Sequence, residues 1–163
     1  MIMKTDAEFL NEIARIYGIK VYYKKLTDGL AGEADAENKV VTICCTVLDN
    51  PRQHKCVLAE EIGHIIHPSR PGHIRYHSKH FHEREGCSAI KVIVAQDETR
   101  ARDWATNVLL PNVELCHIKE VGASTMEELS SHFDVEPWFI EHKIGYLMRK
   151  SHEIGIMETG LVY

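Results

Sequence analysis

Long apolar runs and an excess of positive charge are both absent from this sequence of 163 residues. No run approaches the roughly 20 apolar residues that cross a bilayer, which predicts a protein without a membrane span. The 19 Lys and Arg residues are outnumbered by 24 Asp and Glu residues, for a formal net charge of −5. A nonspecific nucleic-acid binder needs a basic face, so this balance disfavours direct nucleic-acid binding. The first 18 residues lack the apolar core of a secretory signal peptide.

A disulfide or zinc framework of cysteines is also lacking. The sequence has five cysteines, of which two are neighbours and none form a CxxC pair. An odd number without regular spacing disfavours disulfides and predicts a protein of the reducing cytoplasm. We expect four of them to be small core residues: Cys44, Cys45, Cys56 and Cys116.

Histidine, by contrast, is abundant, with 11 residues. Seven lie close together in the sequence: His54, His64, His67, His73, His77, His80 and His82. Dense imidazole indicates either a metal or proton-handling site or a polar loop. Prolines and glycines punctuate the second half of this group, so we predict a mobile loop over 68–95. His80, His82 and Cys87 carry zinc-type donors, but their spacing fits no closed structural zinc site.

The hydrophobic pattern predicts an α+β fold in a single domain over residues 1–163. Helical spacing alternates with short β-branched runs in the first half, whereas helical patterns dominate the second half. The expected elements are a helix over 6–17, strands over 19–23, 30–35 and 40–45, helices over 51–67 and 96–111, and a C-terminal helical subregion over 124–150 with helices at 126–133 and 137–149. A capping box of Thr125 and Glu128 begins that subregion.

A polar stripe runs along the helix predicted over 51–67. At about 100° per residue, Glu60, His64 and His67 fall within about 60° of one another, and Glu61 lies beside them. The segment is similar to HExxH, in which two ligands at i and i+4 bind zinc and the Glu between them activates water. Glu60 replaces the first His. A carboxylate is a harder ligand than imidazole and adds charge, so manganese and iron stay open beside zinc.

Together with later segments, this motif resembles the ImmA/IrrE family of metallo-endopeptidases, in the form found in phages and mobile elements. The matching stretches are Cys56-Val57-Leu58-Ala59-Glu60-Glu61-Ile62-Gly63-His64, then Glu98-x-x-Ala101-x-x-Trp104-Ala105-x-x-x-Leu109-Leu110-Pro111, then Leu129-x-x-x-Phe133-x-Val135. The resemblance covers most of residues 6–147.

The resemblance implies a small zincin-like domain. An N-terminal helix and a three-stranded sheet would pack on the active-site helix, followed by a mainly helical C-terminal half. Glu60, His64 and Glu98 would hold a divalent metal, with His67 as an alternative ligand, and Glu61 would be the general base for a metal-activated water. The implied substrate is a helix-turn-helix repressor, the partner that family members in mobile elements cleave. We expect the strand at 40–44 to pair with the extended substrate.

Two other functions stay open. An inactive family member would bind the repressor without cleaving it and act as an anti-repressor. The segment 129–140 also resembles a helix-turn-helix, which is typical of a DNA-binding regulator, although Glu136 and Glu141 on its second helix would repel phosphates. The residue that stabilises the transition state is undecided among four candidates: Tyr76, His77, His132 and His142.

Overall fold

Three strands and six helices make up the part of the chain that the computed structural model describes, residues 5–27, 29–68, 88–111, 113–123 and 125–159. The strands are β1 (Lys20–Lys24), β2 (Gly32–Asp35) and β3 (Val40–Cys44). The helices are α1 (Asp6–Ile16), α2 (Pro51–Ile66), α3 (Ser88–Leu109), α4 (Leu115–Glu120), α5 (Met126–Phe133) and α6 (Pro137–Thr159). The predicted α+β class, with a three-stranded sheet and a mainly helical second half, is confirmed.

The sheet has the strand order β1-β3-β2, so β3 is its central strand. β3 runs parallel to β1 and antiparallel to β2. Val41 and Ile43 of β3 are fully buried, as expected for a strand with neighbours on both sides. The predicted pairing of a substrate with the strand at 40–44 is wrong, because both edges of that strand are already hydrogen-bonded within the sheet. The edge next to α2 belongs to β2.

Helix α2 is the central element of the fold and packs against α1, β2, β3 and α3. The Asn50 side chain caps it by accepting a hydrogen bond from the Gln53 backbone N–H at 3.2 Å, and Pro51 occupies its first turn. Its core-facing residues include Cys56, Val57, Leu58, Ala59, Ile62 and Ile65. A helix that is apolar over so much of its surface is stable only when it is enclosed, which fixes α2 between the sheet and α3.

Helices α2 and α3 approach so closely that only glycine fits at one point. A Cβ atom built on Gly63 would lie 2.5 Å from the backbone oxygen of Ala101. Ala101 and Ala105, one turn apart on α3, are fully buried at this contact. These small residues therefore let the middle of α3 pack against the last turns of α2.

Lys55 connects three parts of the fold. Its side chain is almost buried, and its Nζ atom donates to Asp6 of α1 and to Asp134, both at 2.7 Å. Asp134 ends α5 in the left-handed conformation, with φ 52°. Burial lowers the pKa of Lys55, but the hydrogen bonds that it donates to Asp134 and Asp6 outweigh burial and raise that pKa above its usual value. The amino group is thus held in its charged form.

The structure corrects the predicted boundaries in the second half. Residues 88–95 belong to α3, so the loop predicted over 68–95 is wrong there. The β-branched residues of 90–94 are compatible with a short strand or with the beginning of the next helix, and the structure shows the helix. No Gly or Pro interrupts the chain from Ser88 to Leu110, and a helix continues through β-branched residues at small cost. Helix α6 runs to Thr159 rather than to 149, and the short helix α4 was not predicted.

The cysteine prediction is half right. Cys44 and Cys56 are buried, whereas Cys45 and Cys116 are exposed. Cys45 begins a 3-10 turn, Cys45–Asp49, which rotates it out of the alternation expected for a strand. The loop histidines His73, His77, His80 and His82, together with Cys87 and Tyr76, lie outside the described residues.

Within the described ranges, no helix has both the length and the apolar character needed to cross a membrane.

We predict that Gly63→Ala destabilises the protein. Alanine normally favours a helix over glycine, but here the added methyl must displace the Ala101 backbone, at a cost of about 1–3 kcal/mol. Chemical denaturation measures the loss. Gly145→Ala in α6 is the matched control, because its Cβ meets only the flexible end of Arg149 at 3.4 Å. Equal stability changes for the two variants would contradict the close packing.

We also predict that Asp134→Asn lowers the stability of the protein by an amount that depends on pH. Asparagine tolerates the left-handed backbone at this position. The hydrogen bond from Lys55 lowers the pKa of Asp134 in the folded protein. The ion pair therefore stabilises the fold above the pKa that Asp134 has in the unfolded chain, and this stabilisation is lost as the pH falls through the lower pKa of the folded state. Because the side chain is 67% exposed, the variant should lose only about 0.5–1 kcal/mol at pH 7. The difference from the unsubstituted protein should shrink at pH 3. A difference independent of pH would argue against the ion pair.

Candidate metal centre

Three side chains of the types that can bind a metal ion converge where α2 meets α3. Glu60 and His64 lie one turn apart on α2, and Glu98 projects from α3. One ligand atom from each lies within 4.8 Å of the other two. The His64 Nε2 atom is 3.4 Å from Glu98 Oε2. The Gly63–Ala101 contact explains this meeting, since it sets α3 directly beside the turn that carries His64.

The chemistry of this set fits a divalent cation. One imidazole nitrogen and two carboxylate oxygens are ordinary ligands for zinc, and also for manganese or iron. Three donors each about 2.1 Å from a common ion lie at most about 4.2 Å apart, close to the grouping observed. The side chains of Glu60, His64 and Glu98 are 13%, 18% and 30% exposed, so the group can be reached from solvent. A cation with three protein ligands keeps a coordination position open, as catalytic sites require.

His67 is not a member of this group. It caps the C-terminus of α2 with φ −118° and ψ 68°, outside helical geometry. The helix ends at Ile66, so the helical periodicity that predicted His67 on the polar stripe does not extend to this residue. The donor set consists of the other three predicted residues.

The charges of the neighbouring carboxylates determine the direction in which the pKa of His64 is shifted. Burial lowers the pKa of His64, but its hydrogen bond with Glu98 and the negative charges of Glu98, Glu61 and Glu60 outweigh burial and raise that pKa. Without a metal, the imidazole is therefore biased towards its protonated form, in which it offsets part of the surrounding negative charge.

Glu61 lies against the first residue of the edge strand β2. A Cβ atom built on Gly32 would be 2.7 Å from both Cγ and Oε1 of Glu61. Burial raises the pKa of Glu61 to about 8, with His64 opposing the shift and the charges of Glu60, Glu98 and Glu33 adding to it. A carboxyl group whose pKa lies near neutrality is suited to take up and release a proton. Nothing in the local sequence around Gly32 predicted its contact with this group.

Arg102 is a member of the site that the sequence analysis missed. Its Nε atom donates to Glu60 Oε1 at 2.6 Å, and its Nη2 atom is 3.7 Å from Glu98 Oε2. The guanidinium also lies over the Trp138 ring, 5.9 Å from its centre. One signal was available: Arg102 follows Glu98 by four residues, the spacing of an ion pair on one helix face.

A cavity of about 410 Å³ adjoins the site, and Glu60, Arg102, Trp138 and His142 are among its lining residues. The His142 Nε2 atom is 2.7 Å from Asp103 Oδ1, which fixes the orientation of the ring. His142, one of the four candidates for stabilising the transition state, lines this cavity together with Glu60.

The other candidates differ from His142. His132 is exposed on α5 and makes an edge contact with Phe133, with ring centres 4.8 Å apart. Tyr76 and His77 lie outside the described residues.

The segment that resembles a helix-turn-helix is part of the core. Phe139 and Ile140 at the start of α6 are fully buried, and α6 packs on both α3 and α5. The face of α6 with Trp138 and His142 lines the cavity beside the metal-ligating group. A recognition helix presents its first turns to the DNA groove, so this packing is unfavourable for that role.

The comparisons with known proteins bear on the whole arrangement. A search of curated proteins finds no match to the chain. The family model described as Peptidase M78, IrrE N-terminal-like domain, matches residues 14–144. That match takes in the sheet, α2, the three converging side chains and most of the helical half, which is well over half of the sequence. The chain belongs to the IrrE N-terminal-like family of M78 peptidases.

Proposed function

We propose that this protein is a metal-dependent endopeptidase that cleaves a helix-turn-helix repressor protein. One observation carries the proposal: ligand atoms of Glu60, His64 and Glu98 lie within 4.8 Å of one another, and Glu61 directly follows Glu60 on the same helix. The membership in a peptidase family supports a protein substrate. Glu60 and His64 come from α2 and Glu98 comes from α3, while Glu61 on α2 contacts Gly32 of the sheet.

The proposed reaction is hydrolysis of a peptide bond. A divalent cation held by Glu60, His64 and Glu98, preferably zinc, with manganese or iron as alternatives, supplies a Lewis acid that polarises the scissile carbonyl and acidifies water. Glu61 accepts the proton of the attacking water as the new C–O bond forms. It then delivers that proton to the leaving nitrogen as the C–N bond breaks. The products are a carboxylate and an amine.

The substrate path in this proposal follows β2 rather than β3. Strand β2 (Gly32–Asp35) has a single strand neighbour, β3, among the described residues, so its outer edge offers unpaired backbone groups to an extended peptide. The contact of Gly32 with Glu61 puts that edge beside the general base. His142, oriented by Asp103 at the cavity, is our candidate for stabilising the developing negative charge.

The repressor as substrate and the cytoplasm as compartment rest on the sequence. The motif segments resemble those of mobile-element members that cleave such repressors. The four described cysteines are free thiols, a state that a reducing compartment maintains. An inactive anti-repressor is the alternative outcome of the experiments below.

Metal binding should depend on the three converging residues. Protein purified without chelator, loaded with zinc and then dialysed against zinc-free buffer should hold about one ion per chain, measured by elemental analysis. His64→Ala and Glu98→Gln should each lose most of this metal, because two ligands do not retain zinc against dialysis. His67→Ala, the matched control on the same helix, should retain it. Absence of stoichiometric metal in the unsubstituted protein under every loading condition would overturn the proposal.

Cleavage should depend on Glu61 separately from metal binding. Glu61→Gln should keep its metal and still capture the co-expressed repressor, but should reduce cleavage at least about 100-fold, because no carboxylate takes the proton of the attacking water. Gel electrophoresis and mass spectrometry of the repressor measure the products. Capture without cleavage by the unsubstituted, metal-loaded protein would instead indicate an anti-repressor.

A further inference from the structure

The ligand set of this protein carries more negative charge than an HExxH site does. Glu60 occupies the position of a neutral imidazole, so Glu60 and Glu98 together contribute two negative charges where one is usual for such a helix pair. A second carboxylate donates charge to a cation and weakens it as a Lewis acid. The site therefore needs a compensating positive charge if it is to act as an HExxH site does.

Arg102 is in the position to supply that charge. Its Nε–H donates to Glu60 Oε1 at 2.6 Å, while its Nη2 atom remains 3.7 Å from Glu98. Glu60 is thus the closer partner, although Glu98 is on the same helix. The Trp138 ring lies under the guanidinium, with its centre 5.9 Å away, and this contact limits the movement of the arginine.

We propose that Glu60 and Arg102 act as one unit that replaces the missing imidazole ligand. The sum of their charges is zero, as for a neutral histidine. Arg102 holds one carboxylate oxygen of Glu60 by a hydrogen bond and leaves the other for the cation, so the carboxylate acts as a single, oriented donor. Arg102 is a positioning residue, and this role rests on the proposed metal site.

A double-mutant cycle tests the unit directly. The four proteins are the unsubstituted chain, Arg102→Gln, Glu60→His and the double variant, each prepared metal-free. Zinc affinity is measured by competition with a chromogenic chelator, and thermal midpoints are measured without metal. These readouts do not depend on peptidase activity.

The expected result is strong coupling between the two positions. In the unsubstituted background, Arg102→Gln should weaken zinc binding at least about tenfold, because Glu60 loses its orientation. It should also lower the metal-free midpoint by about 2–4 °C, because half-buried carboxylates lose their cation. In the Glu60→His background, the same substitution should not weaken zinc binding, because the arginine no longer has a carboxylate to orient. A merely structural role for Arg102 would weaken zinc binding in both backgrounds.

Arg52→Gln is the matched control. Arg52 lies on α2, eight residues before Glu60 and so about 12 Å along the helix, and it pairs with Asp134 at 3.3 Å. Its removal should change zinc affinity by less than about twofold and should be additive with Glu60→His. Equal effects of Arg102→Gln in the two backgrounds, with zinc binding intact, would overturn the role of Arg102 alone. Failure of all four proteins to bind zinc, manganese or iron would overturn the metal site and this inference together.

Discussion

The close approach of α2 and α3 is the constraint on which the rest of the site depends. Gly63 lets the backbone of Ala101 come into contact, and no larger side chain fits there. Because the two helices touch at this point, Glu98 reaches His64, and Arg102, one turn further along α3, reaches Glu60. A methyl group at position 63 would have to displace the Ala101 backbone, and with it the helix that carries Glu98 and Arg102.

Electrostatics is the second organising feature of the site. Four carboxylates influence one another there: those of Glu33, Glu60, Glu61 and Glu98. Burial, reinforced by the charges of Glu60, Glu98 and Glu33, raises the pKa of Glu61. At His64 burial acts in the opposite direction, but the hydrogen bond with Glu98 and the charges of Glu98, Glu61 and Glu60 outweigh it and favour the protonated imidazole. A cation of either kind, a metal ion or the Arg102 guanidinium, relieves the repulsion between these carboxylates. The architecture therefore combines a donor set suited to a metal with a carboxyl group suited to proton transfer.

Much of the fold could be predicted from local sequence. The apolar spacing identified α1 and α2, and a β-branched run identified β3, because both patterns report directly on which faces are buried. Alternating apolar residues indicated β1, and β2 was expected after the turn at 27–29. The capping residue Thr125 marked the start of α5 correctly. Prediction failed at 88–95 and after 149, where no helix-stopping residue marks a boundary and packing determines how far the helix extends.

The sequence by itself determined that Glu60, Glu61 and His64 share one region of a helix, since three or four residues make one turn. It also identified the family, through motifs in three separate segments, and predicted Glu98 as a third candidate ligand. Only the tertiary structure decided which residues meet across elements. In the strand order β1-β3-β2, the edge strand beside Glu61 is β2. Helix α2 ends before His67, which therefore does not join Glu60, His64 and Glu98. The packing of α3 on α2 brings Arg102 to Glu60. Such meetings depend on how the chain packs on itself, whereas local patterns describe only one element at a time.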